Sequence, residues 1–262
     1  MGNGLFLGLD IGSSTVKALA LDGQLSVVAQ GLCLAGYGGQ EAARSLVDSI
    51  LEQNHRNRAD LSYTVVTGYG RVRYQEADQE VSEITCHATG AFHLCPRVRT
   101  VVDIGGQDSK AIRLDEQGRL LDFVMNDKCA AGTGKFLEVM AGMLSVSMED
   151  LGPLAMRSSH PVSISSTCTV FAESEAISHM SRGAAAQDVA AGLHKAIAQR
   201  IWGLLVRIGV APQLMLTGGV ALNVGLVSSL EGCSETPILV PANPQLVGAL
   251  GAALYAAKKG RR

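Results

Sequence analysis

"VDIGGQDSKAIRLDEQ", residues 102–117, has an earlier counterpart in "LDIGSSTVKALALDGQ", residues 9–24. Asp, Ile, Gly, Lys, Ala, Leu, Asp and Gln recur at a constant offset of 93 residues. Each copy reads as a strand, a glycine turn and a second strand that ends in a polar turn. The offset is too long for a solenoid repeat, so two duplicated domains are expected. Glycine permits positive φ and close backbone approach, which lets each turn present N–H groups to an anionic ligand. Both copies also carry an aspartate at the strand end, Asp10 and Asp103. A carboxylate beside a phosphate cradle suits a Mg²⁺ ion or an oriented water.

The flanking sequence extends the pattern. "EAARSLVDSILEQN" (41–54) spaces Leu46, Val47, Ile50 and Leu51 as one helix face. "YTVVTG" (63–68) and "RTVVDIGG" (99–106) read as short strands ending in glycine, and "QLMLTGG" (213–219) as a buried one. Helices are expected over 135–144, 175–183, 187–209 with Gly209 as C-cap, and 245–259. Strands alternating with helices predict α/β layers. The expected domains are 1–96 and 97–244, with 245–262 packing back on the first.

Composition narrows the class. The chain has 262 residues, 47% hydrophobic and 18% charged, enough for sizeable cores. A net charge of −2 gives no basic footprint for nucleic acid. "MGNGLFLGLD" lacks the basic start of a signal peptide. The longest uncharged run, Ile208 to Leu230, contains Pro212, Asn223 and four glycines, which predict a strand, a turn and a helix rather than a membrane span. A soluble cytoplasmic protein is expected, with no membrane contact, and its six cysteines are not expected to form structural disulfides.

"MNDKCAAGTGKF" (125–136) is close to a P-loop, G-x-x-x-x-G-K-[ST]. Gly134 and Lys135 fit, but Cys129 stands where the turn glycine belongs and Phe136 replaces the hydroxyl. Cys129 and Cys168 each precede an expected helix, and the positive N-terminal end of a helix favours a thiolate or an anionic cluster. They lie 39 residues apart with no histidine at zinc spacing. Two cysteines cannot complete a four-thiolate iron–sulfur site, but a symmetric dimer supplies four. On spacing alone the plainer alternative, two buried small hydrophobes, stands beside that reading.

The two Asp-x-Gly turns together with Thr217-Gly-Gly-Val-Ala resemble the actin/hexokinase/heat-shock-protein ATPase superfamily. That resemblance implies two actin-like (ribonuclease H-like) domains closing over ATP and Mg²⁺. Gly12, Ser13, Ser14, Thr15 and Lys17 would form the first phosphate loop. Gly105, Gly106, Gln107 and Asp108 would form the second. Gly218 and Gly219 would lie against the nucleoside. Asp10, Asp103 and Gln107 are the implied catalytic residues, with Asp10 also toward Mg²⁺.

"TGYGR" (67–71), "DIGGQDSK", "FVMNDKCAAGTGKFLEVMA", "CTVFAESEAISHMSRG" and "TGGVALN" resemble, over nearly the whole chain, the activator component of 2-hydroxyacyl-CoA dehydratases. The same family includes the ATPase subunits of benzoyl-CoA reductase. The resemblance implies a homodimer holding one [4Fe-4S] cluster on Cys129 and Cys168 of each subunit, with Gly132 and Gly134 close to the nucleotide. It implies ATP hydrolysis coupled to electron transfer, from ferredoxin or flavodoxin to a partner iron–sulfur dehydratase or reductase. A small-molecule kinase of the same fold is the main rival, although the first domain is short for a sugar site and the cysteine segments would go unexplained. A nucleotide-dependent assembly protein is the second. Cys33, Cys86, Cys95 and Cys233 are expected to be packing residues, and Met125, Met140 and Met143 core residues. Glu173 and Glu175 are expected to complement a helix dipole, and Lys110 to be a solvated strand residue.

Overall fold

The computed structural model describes residues 4–165 and 168–261. The chain forms two compact units. One runs up to Val98 and adds Leu114–Leu121 and the segment from Gln245; the other contains Arg99–Arg113 and Asp122–Pro244.

The first unit holds a mixed sheet of β1 (Leu5–Ile11), β2 (Thr15–Leu21), β3 (Val27–Leu34), β4 (Leu61–Thr67) and β5 (Gln79–Glu80), in the order β3-β2-β1-β4-β5. β1 and β2 are antiparallel, β1 and β4 parallel. Every residue of β1 is buried, as a central strand covered on both faces requires. Helix α1 (Gln40–Gln53) turns Ala43, Leu46, Val47, Ile50 and Leu51 inward against β2 and β3. Helix α2 (Glu83–Leu94) begins at Ser82, whose hydroxyl accepts the Thr85 N–H.

The second sheet contains β6 (Thr100–Ile104), β7 (Ser109–Leu114), β8 (Leu120–Asn126), β9 (Leu214–Thr217) and β10 (Ile238–Leu239). Its order, β8-β7-β6-β9-β10, matches the first sheet strand for strand. Between β8 and β9 lie α3 (Gly134–Met143), α4 (Met148–Ala155), α5 (Thr169–Ser181) and α6 (Ala186–Ile208), the last ending at Gly209. Helix α7 (Val224–Ser234) follows β9, so the uncharged run resolves into a strand, a turn and a helix. Val102, Ile104, Leu137, Met140, Leu193 and Ile201 share the core of this unit. Met140 is fully buried, but Met125 is 39% exposed on β8, the edge strand of its sheet, and so is not the core residue expected.

Helix α8 (Val247–Gly260) belongs to the first unit. It packs on β1, β2, β4 and α2. Its buried face is Ala249, Ala252, Ala253 and Ala256, small residues that bring helix and sheet backbones close. Among the described residues no helix is long and apolar enough to cross a membrane.

Candidate nucleotide and cluster sites

Each sequence repeat folds as a hairpin, and the hairpins are built alike. Asp10 lies opposite Lys17 in the β1–β2 register, and Asp103 opposite Lys110 in β6–β7. The turns close identically: the Gly12 N–H donates to Thr15 O at 3.0 Å and the Gly105 N–H to Asp108 O at 2.9 Å. Lys17 Nζ sits 3.4 Å from Asp10 Oδ2. Lys110 Nζ sits 3.4 Å from Asp103 Oδ2 and 2.8 Å from Asp108 Oδ2. Lys110 is 1% exposed, so the expectation of a solvated strand residue is wrong. An ammonium is sustained at that depth because two carboxylates face it. Replacing it, as in Lys110→Met, leaves two acidic side chains without their cation. The expected cost is roughly 3–5 kcal/mol of stability, read as a lower urea midpoint at neutral pH.

The parallel neighbours extend the duplication. Thr67 sits beside Asp10 and Thr217 beside Asp103, and each threonine is followed by a left-handed glycine. Gly68 has φ +88°, and a Cβ there would lie 2.4 Å from Asp10 Oδ1. Gly218 has φ +87°, and a Cβ there would lie 2.9 Å from Asp103 Oδ1 and 2.3 Å from Ile104 O. Both glycines are therefore required by backbone conformation and by the space the aspartates occupy. The Thr67–Gly68 half of this pair carries no site assignment from sequence; its signal was the Thr-Gly dipeptide ending a second strand in each domain.

The two aspartates differ in one respect. Asp103 Oδ1 accepts the Thr217 hydroxyl at 3.0 Å. Asp10 is 3% exposed, and among the described residues its buried Oδ1 has no hydrogen-bond partner. A buried carboxylate oxygen without a donor is costly, and a hard cation or its water offsets that cost. Asp10 thus fits Mg²⁺ by the chemistry of its open oxygen. Ser13, Ser14 and Gln107 are exposed at the turn tips, and Gly219 opens the short helix Gly219–Leu222.

The cysteine segments belong to the second unit. Cys129 is half-buried against its core. Cys168 is exposed and forms the N-cap of α5, which starts six residues before the expected helix. Among the described residues no side chain caps α5. A cavity of about 230 Å³ is lined by Ala131 and Gly132, Ile164 and Ser165, and Arg200 of α6; neither Cys129 nor Cys168 lines it. By ligand count, two thiols supply half of a four-thiolate set.

Gly134 and Lys135, the matching letters of the near P-loop, meet the second phosphate loop directly. The Gly134 N–H donates to Gly105 O and the Lys135 N–H to Gly106 O, both at 2.9 Å. Gly132, with φ +87°, faces Arg200 and Ile201 instead. Glu173 and Glu175 lie beyond the first turn of α5, correcting the expected dipole role. The Glu175 carboxylate instead accepts the Ser165 N–H at 3.0 and 3.1 Å. Arg71 donates to Gly68 O at 3.0 Å and braces that turn. Burial pushes the Cys86 thiol up to about 12, and raises Cys33 and Cys233 as well, so these thiols are poor ligands and nucleophiles.

Two matched sheets, paired Asp–Lys hairpins and a Gly-Gly turn after β9 define a duplicated α/β ATPase fold of the actin and hexokinase type. Within that class, the chain belongs to the BadF/BadG/BcrA/BcrD ATPase family, whose model matches residues 7–256. It is 49% identical over 250 residues to the 2-hydroxyisocaproyl-CoA dehydratase activator of Clostridioides difficile, covering 95% of this chain and 94% of the relative. It is 46% identical over 257 residues to the (R)-2-hydroxyglutaryl-CoA dehydratase activating ATPase of Acidaminococcus fermentans, covering 98% of each. The solved structure of the activator of the 2-hydroxyisocaproyl-CoA dehydratase from Clostridium difficile with bound ADPNP superposes with a TM-score of 0.93. That match has 46% identity and covers 98% of this chain and 96% of that one.

Proposed function

We propose that this protein is an ATP-driven activator that delivers a low-potential electron to a partner iron–sulfur dehydratase or reductase. The observation that carries this reading is the direct attachment of the Cys129 segment to the second phosphate loop through Gly134 and Lys135. Full-length similarity to activators of 2-hydroxyacyl-CoA dehydratases supports it. The same names disfavour a small-molecule kinase.

In this reading Gly12 to Thr15 with Lys17, and Gly105 to Asp108, bind the nucleotide phosphates. Gly218 and Gly219 lie against the nucleoside. Asp10 holds Mg²⁺, and Asp103 and Gln107 orient the attacking water. Cys129 and Cys168 of two protomers hold one [4Fe-4S] cluster, which when bound supplies a one-electron carrier. The exposed apolar side chains Phe123 and Met125, four to six residues before Cys129, and Val170 and Phe171, just after Cys168, support burial of the cysteine segments by a second copy. The dimer accepts its electron from ferredoxin or flavodoxin in the cytoplasm. Hydrolysis drives the transfer only if nucleotide binds two conformations differently.

The test is iron and acid-labile sulfide analysis, with the visible spectrum, on protein purified without oxygen. About four irons per dimer, lost in air, are expected. No iron after anaerobic reconstitution, together with substrate-stimulated phosphoryl transfer, would return the kinase reading.

A further inference from the structure

Thr133 occupies the N-cap of α3 but does not cap it. An N-cap threonine ordinarily accepts an N–H from the first turn. Here its hydroxyl turns back and donates to Ala130 O at 2.6 Å, and its own N–H reaches the same oxygen at 3.1 Å. The side chain is 1% exposed, so this bond is shielded from competing water. The first N–H groups of the helix find other acceptors, the Gly105 and Gly106 carbonyls. On the opposite side of the segment, the last residue of β8 closes the loop. Asn126 Nδ2 donates to Cys129 O at 2.8 Å and to Ala131 O at 3.3 Å.

These bonds make a continuous tie. It runs from the second phosphate loop through the start of α3 and Thr133 to Ala130, then to Cys129 and the edge of the sheet at Asn126. Each step is a hydrogen bond or a single peptide unit, and no step passes through a freely rotating side chain. A displacement of Gly105 and Gly106 therefore moves the Cys129 segment instead of being absorbed in slack backbone.

We infer that Asn126 and Thr133 are positioning residues that carry the nucleotide state of the Gly105–Gly106 loop to the Cys129 thiol. The inference rests on the proposed nucleotide role of that loop and deepens it. The effect of both residues is on coupling: they fix how far Cys129 follows the loop. Removing the Thr133 hydroxyl leaves only the longer backbone bond to Ala130 O and the peptide itself as the link, and removing the Asn126 amide frees the Cys129 and Ala131 carbonyls from the sheet edge, so in either case Cys129 follows the loop less closely.

The experiment uses the full-length, iron-free protein, so it reads the tie independently of any cluster. The alkylation rate of Cys129 by iodoacetamide is followed by peptide mass spectrometry with ADP or with a non-hydrolysable ATP analogue, and Cys168 serves as internal reference. In the unmodified protein the Cys129 rate is expected to differ between the two nucleotides. In Thr133→Val and Asn126→Ala the difference disappears while both nucleotides still bind. Thr133→Ser, which keeps the hydroxyl, retains the difference. The inference is overturned if Thr133→Val and Asn126→Ala keep the unmodified response, or if Thr133→Ser loses it as fully as Thr133→Val. Iron analysis of anaerobic protein separately decides the activator reading, so the two failures are distinguishable.

Discussion

In the proposed dimer, replacing either Cys129 or Cys168 by alanine is expected to remove the iron, from about four atoms to none, and to bleach the visible absorption. Symmetry makes the effect large. A single substitution in the gene would delete two of the four proposed thiolates, because in that reading each protomer supplies the same pair. Two remaining sulfurs do not hold a cubane. Nucleotide binding is expected to survive in both variants, because neither thiol belongs to a phosphate loop. Cys86→Ala is the control: that thiol is fully buried in the first unit, and its loss should leave the iron untouched. Anaerobic iron and sulfide analysis, beside nucleotide titration, reads all three variants. A full iron load in Cys129→Ala or Cys168→Ala would remove that residue from the ligand set.

The sequence repeat was a reliable guide because it encodes a hairpin, and a hairpin is local. Asp, Gly and Lys at fixed spacing specify strand, turn and return strand, so Asp10–Lys17 and Asp103–Lys110 were legible as equivalent pairs. Their burial was not. A lysine on an alternating strand reads the same whether solvent or two carboxylates face it, and only the Asp103 and Asp108 contacts separate the cases. The correspondence of Thr67–Gly68 to Thr217–Gly218 was hidden by topology. The chain from Asp103 to Thr217 is twice as long as that from Asp10 to Thr67, because α3 to α6 are inserted before the parallel neighbour arrives. A constant-offset comparison cannot cross such an insertion.

The cysteine segments misled periodicity for a different reason. Helix α5 starts at Thr169, but Val170 and Phe171 are about two-thirds exposed, so its opening turn lacks an inward apolar stripe. The same holds on β8, where Leu121, Phe123 and Met125 point outward together. Apolar residues facing away from a unit's own core blur the pattern that core packing normally imposes. The disagreement therefore falls around the two cysteines, the surface that the proposed reading makes functional.

Asp10→Asn is the substitution in which activity and stability should part. The carboxylate is almost fully buried, one oxygen near Lys17 and the other with no donor. A buried carboxylate oxygen without a donor is a stability cost carried by the folded chain. Asparagine keeps the shape, and its carbonyl oxygen can face the Lys17 ammonium as Oδ2 does. It removes the charge that a divalent cation needs. Bound Mg²⁺ contributes several kcal/mol of charge stabilisation in the transition state. At 1.36 kcal/mol per decade, losing most of it lowers kcat for ATP hydrolysis roughly 10²–10³-fold. The thermal midpoint, measured without nucleotide or Mg²⁺, should stay level or rise, as expected where function keeps a group in an unfavourable place. Added Mg²⁺ should raise the midpoint of the unmodified protein in the presence of ADP but leave the variant nearly unmoved, since only the former gains a ligand that binds the native state. Near-normal hydrolysis by Asp10→Asn would transfer the metal role away from Asp10. A large fall in its metal-free midpoint would mean instead that the Asp10–Lys17 pair stabilises the fold, and that the open oxygen is no sign of a cation.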